Sequence, residues 1–474
     1  MKTIMWFRQD LRLADNPALI EAVNSGEIIP IYILDDYHSG SQKMGAASRV
    51  WLHHSLESLD RSLKRNLKFF KGPADQILLE LIRQTKAEKL VWSRCYEPWR
   101  MTRDTSIKIQ IKELGVEVKS FAGSLLWEPH QIQKSDGTHY RVFTPFYRRG
   151  CLAATQPRKP LNAPTDIKFL PQQTITNNCL LDELELLPKH IWYLEIVNEW
   201  NIGEQGALET LSDFLQNGIT TYKIGRNIPA HKSVSRLSPR LHFGELSPNQ
   251  IWYASQGIIE PGDDNLDSFL SELGWREFSH HLNFHHQTLA NENLNPKFDT
   301  FSWKLTPRSL KAWQTGMTGY PIVDAGMREL YQTGYMHNRL RMIVGSFLVK
   351  NLLQHWHYGR DWFHDCLVDA DLCVNSASWQ WIAGCGADAA PYFRIFNPIT
   401  QGEKFDPDGV YTKKWVPELA ELPKKYLFCP WEAPSEILDK IGFHLGKSYP
   451  MPIVDLKTSR EMALEAFSKL PKLA

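Results

Sequence analysis

The placement of β-branched runs constrains this chain more than any other feature. Short apolar runs at 3–7, 28–34, 67–70, 90–93 and 116–120 alternate with helical patterns, and beyond about Asn198 no such run recurs. Apolar runs of this length between helices mark strands buried on both faces, so the first part is expected to be a parallel, Rossmann-like α/β domain. Leu52, Leu56, Leu59 and Leu63 recur at i, i+4, i+7 and i+11, which lays one helix face over that sheet. A further helix is expected over 75–85. Such alternation leaves a ligand crevice at the carboxyl ends of the strands, although the fold alone names no ligand.

Between about Trp127 and Trp192 the pattern breaks. Pro129, Pro145, Pro157, Pro160, Pro164, Pro171 and Pro188 punctuate a polar stretch without periodicity, which reads as a connector. Helical patterns then dominate, at 206–217, 266–283, 307–315, 325–333, 336–353 and 461–470. The expected organisation is an α/β domain over 1–127, a connector over 128–197 and a larger all-α domain over 198–474.

Lys+Arg 54 against Asp+Glu 53 leaves a net charge of +1, so a polyanionic partner must be met by a local basic surface. The seven cysteines are scattered without a C-x-x-C pair or zinc-finger spacing, which predicts reduced thiols, a cytoplasmic setting and no metal. No window of 18 apolar residues suggests a membrane span, and the chain is expected to be soluble and monomeric. Phosphate-loop, serine-hydrolase, zincin and G-x-G-x-x-G strings are absent.

Four clusters in the helical part mix polar and aromatic residues. Ser233-Val234-Ser235-Arg236-Leu237-Ser238 offers hydroxyls and backbone N–H groups at an expected helix start, a cradle for phosphate or an ordinary cap. Glu272, Trp275 and Arg276 share a helix face at i, i+3 and i+4, as a binding face or a surface salt bridge beside a half-buried Trp. Asn338 and Met342, with His337 and Arg341 on the neighbouring face, open an otherwise apolar helix and suggest a lined cavity or a structural polar network. Asp369, Asp371, Asn375, Trp379 and Trp381 crowd thirteen residues; carboxylates buried there need partners. Of 17 Trp, eleven lie from Trp200 onward, and helical spacing alone would make most of them core. Together these features suggest a large cofactor held among helices beside a platform for stacked bases.

The chain resembles the DNA photolyase/cryptochrome family over nearly its whole length. The resemblance rests on Trp6-Phe7-Arg8-Gln9-Asp10-Leu11-Arg12, on Thr318-Gly319-Tyr320-Pro321-Ile322-Val323-Asp324, on the Asn338 cluster and on the string from Asp388 to Pro398. It implies an N-terminal antenna domain and a helical domain binding FAD noncovalently. Tyr222, Ser235, Arg236, Leu237, Ser238 and Arg276 would hold the cofactor. Arg341 and Asp369 would pair over its ring, with Asp371 beside them and Asn375 at flavin N5. Val234 departs from the Thr of close bacterial relatives, removing one hydroxyl.

The same resemblance, closest to bacterial class I enzymes, implies light-dependent repair of cyclobutane pyrimidine dimers in DNA. Relatives acting on (6-4) lesions look to have two His where this chain has Asn338 and Met342. Trp275 and Trp381 would flank the flipped lesion, Met342 would pack on it, and Glu272 and Asn338 would hydrogen-bond it. Arg226, Arg339 and Gln401 would engage DNA. Trp379, Trp356 and Trp303 match the family's electron-hopping positions. Glu97 matches a carboxylate that holds an antenna chromophore, which favours methenyltetrahydrofolate over deazaflavin. The alternative within the family is a cryptochrome-like blue-light photoreceptor.

Overall fold

The computed structural model describes residues 1–171, 175–260, 262–389 and 393–471. All five expected strands form: β1 (Lys2–Phe7), β2 (Glu27–Leu34), β3 (Lys68–Lys71), β4 (Lys89–Ser93) and β5 (Glu117–Phe121). They make one parallel sheet in the order β3-β2-β1-β4-β5. Both faces are covered, so Ile4, Trp6, Ile29, Ile31, Leu90 and Trp92 are almost wholly enclosed. Helix Ala46–Ser62 carries Leu52, Leu56 and Leu59 buried, and Leu63 is buried just after it.

Strand order reverses between β1 and β4, the place where such sheets open a crevice. Here that ground holds charges locked to one another. Arg8 follows β1 and binds Asp104 and the Ser93 carbonyl, while Arg103 reaches Asp104 at 2.9 Å and Asp35 at 3.2 Å. Burial alone would raise the Asp104 carboxyl, but Arg8 and Arg103 hold it below its usual value. Arg12 is fully buried and donates to the carbonyls of Gly244, Asp15 and Gly123 at 2.8–2.9 Å.

The chain divides into two compact units. The first comprises Met1–Thr220, Ser235–Gln287 and Val368–Cys373, and the second Thr221–Val234, Thr288–Leu367 and Val374–Ala474. In the first, Glu245 accepts from Trp51 Nε1 at 2.9 Å and Glu204 accepts from the backbone of Leu13 and Ala14, tying the sheet region to helical segments far along the chain. The second is helical, and among the described residues after Asn198 there is no named strand.

Several expected elements differ from those observed, among them the helices expected over 206–217 and 461–470, which are Glu204–Asp213 with a π-helical turn Phe214–Gly218 and Leu456–Ser468. The periodicity over 336–353 is divided: His337 caps a helix Asn338–Ser346, a π-helical turn Phe347–Asn351 follows, and Leu353 has φ 52°. The helix expected over 325–333 begins earlier, as Pro321–Thr333, with Pro321 in its first turn, where its missing N–H costs nothing. The serine-rich cluster precedes a helix of only five residues, Ser238–His242, with no side-chain cap. Among the described residues no helix is long and apolar enough to cross a membrane.

Candidate active site

Within the first unit, helix Asp264–His285 presents Glu272, Trp275 and Arg276 as a half-buried group in an otherwise buried stretch. Trp275 lies flat on Phe143 from the proline-rich connector, with ring centres 3.8 Å apart and planes at 10°. That contact braces the indole without hydrogen bonds. Arg276 reaches Glu277 at 3.3 Å, and the Glu277 carboxylate accepts from the backbone N–H of Leu126 and Trp127. Burial pushes the Glu277 carboxyl up in spite of these partners.

The serine segment turns before it enters the helix that starts at Ser238. Arg236 has φ 52°, a left-handed conformation uncommon outside glycine, and its guanidinium pairs with Glu199 at 2.7 Å while lying 4.0 Å over Trp200. Leu237 is buried, and Ser238 Oγ donates to Asp369 Oδ2 at 2.5 Å. Two positions on, burial would raise the Asp371 carboxyl, but His280 and His242 hold it well below the usual range. Neither histidine was singled out in the sequence, because 91 and 129 residues respectively separate them from Asp371. Among the described residues, His280, Asp371 and Cys373 bring a nitrogen, an oxygen and a sulfur within 4.8 Å of one another. Glu97, at the N-terminus of helix Pro98–Glu113, is buried and faces Arg100 at 3.3 Å.

Within the second unit, helix Asn338–Ser346 leaves Asn338 exposed and Met342 half-buried. Arg339 donates to Asn227 Oδ1, reaches Met342 Sδ at 3.6 Å and lies 4.3 Å over Phe405. Burial and the nearby Arg226 lower the Arg339 guanidinium, and Arg226 itself lies 5.4 Å over Tyr222. His337 is driven down to about 3, by burial first and then by Arg339, Arg341 and Arg226. Arg341 donates to the Met336 carbonyl at 2.8 Å. Gln401 sits half-buried on helix Pro398–Phe405.

The second unit also holds Asn375, which is buried and donates from Nδ2 to the Arg360 carbonyl at 3.0 Å, leaving its amide oxygen as an acceptor. Trp379 packs edge-on against Phe363 at 5.0 Å and fills the notch at Gly359, where a Cβ would lie 2.1 Å from its ring. Trp356 is fully buried and donates to Asn293 at 2.9 Å. His355 touches both Trp356, at 5.7 Å between ring centres, and the half-exposed Trp303, at 5.1 Å. Trp379 and Trp356 are both interior, and Trp303 alone of the three reaches toward the surface. Trp381 donates to the Asp388 carbonyl at 3.1 Å and borders a cavity of about 290 Å³ that Lys350, Arg394 and Phe393 also line. Burial pushes the Lys350 ammonium down to about 7. Ala390, Pro391 and Tyr392 of the string from Asp388 to Pro398 lie outside the described residues.

Two family models match the chain: "DNA photolyase" over residues 3–165 and "FAD binding domain of DNA photolyase" over 269–469. A deoxyribodipyrimidine photo-lyase of Agrobacterium fabrum is 46% identical over 99% of this chain and 98% of its own length. Cryptochrome-2 of Arabidopsis thaliana is 36% identical over 99% of this chain and 79% of its own length. Among solved structures, a bacterial class III photolyase from Agrobacterium tumefaciens superposes with a TM-score of 0.94 at 46% identity, covering 98% of this chain and 97% of that one. Its class III description differs from the class I expected here. Similarity of this extent along both chains leaves one conclusion: the chain belongs to the DNA photolyase/cryptochrome family.

Proposed function

We propose that this chain is a deoxyribodipyrimidine photo-lyase, a carbon–carbon lyase that uses light to split cyclobutane pyrimidine dimers in DNA. The observation that carries this reading is the full-length 46% identity to a photo-lyase, against 36% to a cryptochrome. The family model over 269–469 makes FAD the cofactor. The donor chemistry of these residues fits it: hydroxyls at Ser235 and Ser238, a carboxylate at Asp369, and the buried amide of Asn375. Tyr222, Arg236, Leu237, Arg276, Arg341 and Asp371 complete the set assigned to it. When bound and reduced, FAD supplies a photoexcited electron that opens the cyclobutane ring and is then recovered.

The remaining steps belong to the protein. A dimer stacks poorly, so flipping it from the duplex costs less than flipping an intact pair of bases. Trp275, braced by Phe143, and Trp381 offer ring faces to the flipped bases. Met342, held by Arg339, packs beside them, while Glu272 and Asn338 hydrogen-bond their edges. Arg226 and Arg339 repel one another, and a DNA phosphate would relieve that conflict. With Gln401 they bind backbone and read no sequence, as repair at any site requires. The Asn375 oxygen can accept from a protonated flavin N5 without adding charge. Trp379, Trp356 and Trp303 carry electrons inward from the surface.

Asn338 and Met342 offer no acid–base group at neutral pH, so the reading is specific about the lesion. Reduced protein should be illuminated with two duplexes, one holding a cyclobutane dimer and one a (6-4) lesion. Loss of the first with the second intact is expected; the reverse would refute the assignment. Near the sheet, Glu97 is the residue assigned to an antenna, and methenyltetrahydrofolate the chromophore favoured over deazaflavin. Damaged DNA is the partner, and the chain acts on it as a monomer in the cytoplasm. By domains, 1–127 carries the antenna, 128–197 connects, and 198–474 performs the chemistry.

A further inference from the structure

We propose that His280, Asp371 and Cys373 hold a zinc ion inside the first unit, with His242 beside Asp371. They come from three separate segments: His242 ends helix Ser238–His242, His280 lies in helix Asp264–His285, and Asp371 and Cys373 belong to Val368–Cys373. His242 is 8% exposed, His280 6% and Cys373 0%, while the Asp371 side chain keeps 12% of its surface accessible.

The spacing matches a shared cation better than hydrogen bonding. His280 Nε2 lies 3.4 Å and His242 Nδ1 3.8 Å from the same oxygen, Asp371 Oδ2. Those separations are long for hydrogen bonds. Tetrahedral zinc with bonds of about 2.0–2.3 Å sets its donors about 3.3–3.8 Å apart. His280 Nε2 is buried without a hydrogen-bond partner, a costly state that coordination would end. Tyr96 packs edge-on against His280 at 6.2 Å and restrains the ring.

Charge and donor type select the ion. One thiolate and one carboxylate neutralise a divalent cation, so the occupied site would be buried with no net charge. Sulfur and imidazole favour zinc over magnesium or calcium. Binding converts the Cys373 thiol to thiolate and releases its proton to solvent.

The full chain, produced in zinc-supplemented medium and purified without chelator, should contain about one zinc per chain by elemental mass spectrometry. Zinc should fall below about a tenth of that in Cys373→Ser and His280→Ala. Cobalt in place of zinc should give a thiolate-to-metal charge-transfer band that Cys373→Ser abolishes. A wild-type chain with neither zinc nor the cobalt band overturns the proposal, as does zinc retained in both variants. Should the variants fail to fold, the wild-type cobalt band decides. Flavin is measured on the same samples: flavin without zinc contradicts this site alone, and zinc without flavin contradicts the cofactor assignment alone.

Discussion

The sheet crevice and the Asn338 helix bury charge in opposite ways. Around β1 and β4 every guanidinium meets a carboxylate or a carbonyl: Arg8 with Asp104, Arg103 with Asp104 and Asp35, Arg12 with three carbonyls. Around Asn338, Arg341 and Arg339 are held by neutral oxygens, of Met336 and Asn227, and burial first, then the neighbouring arginines, lowers both His337 and Arg339. Cations locked to carboxylates belong to architecture, whereas cations held by neutral oxygens keep their charge for an anionic ligand if the proposed function is right. The first arrangement should answer to stability measurements and the second to binding and turnover.

The electron route gives the largest expected effect. Trp379→Phe keeps an aromatic ring against Gly359 yet should all but stop photoreduction of oxidised flavin, while chemically reduced enzyme still repairs. Normal photoreduction in the variant would remove Trp379 from the route. Next, Asp104→Ala strands Arg8 and Arg103 and should cost about 3–5 kcal/mol in denaturant unfolding, with repair per folded molecule unchanged. A loss of repair at unchanged stability would reverse the contrast drawn between the two regions.

Trp275→Ala should weaken binding of dimer-containing duplex by about 1–3 kcal/mol, the worth of one stacked base, and leave undamaged duplex affected little. Equal weakening on both duplexes would assign Trp275 to packing on Phe143. His337, depressed to about 3 from 6.5, stays neutral when folded but binds a proton when unfolded below pH 6.5. Its contribution is therefore fully present above pH 6.5 and is lost as pH falls toward 3. His337→Asn should remove about one proton, roughly 1.4 kcal/mol per pH unit, from the slope of stability in that window. An unchanged slope would mean that His337 is not buried neutral. The smallest change is Asn338→Ala, which should reduce dimer affinity by about 0.5–1.5 kcal/mol with unfolding unaltered.

How far the sequence could be read depended on the range of the interactions involved. The strands were legible to within about a residue, because a parallel strand buried on both faces is written as an unbroken apolar run. The Glu272, Trp275 and Arg276 face was legible because it lies within one helix. Periodicity could not see the break at Phe347–Asn351, since an i→i+5 turn preserves the apolar pattern while shifting its face. The helix start expected at the serine cluster is met at Ser238, but the left-handed turn at Arg236 just before it left no trace in the pattern. Contacts between distant segments were out of reach: Phe143 beneath Trp275, Asn227 against Arg339, and His242 and His280 beside Asp371. The tryptophan route was found through resemblance, because a buried Trp at helical spacing looks the same whether it packs or conducts.

The most direct test of the account is dimer loss in light and in darkness. Purified protein, with FAD confirmed bound and chemically reduced, is mixed with a duplex carrying one thymine cyclobutane dimer and exposed to blue light beside a dark control. The account predicts restored thymines in the illuminated sample alone. An intact dimer in both samples, with a known repair enzyme active in the same assay, would contradict it and favour a photoreceptor.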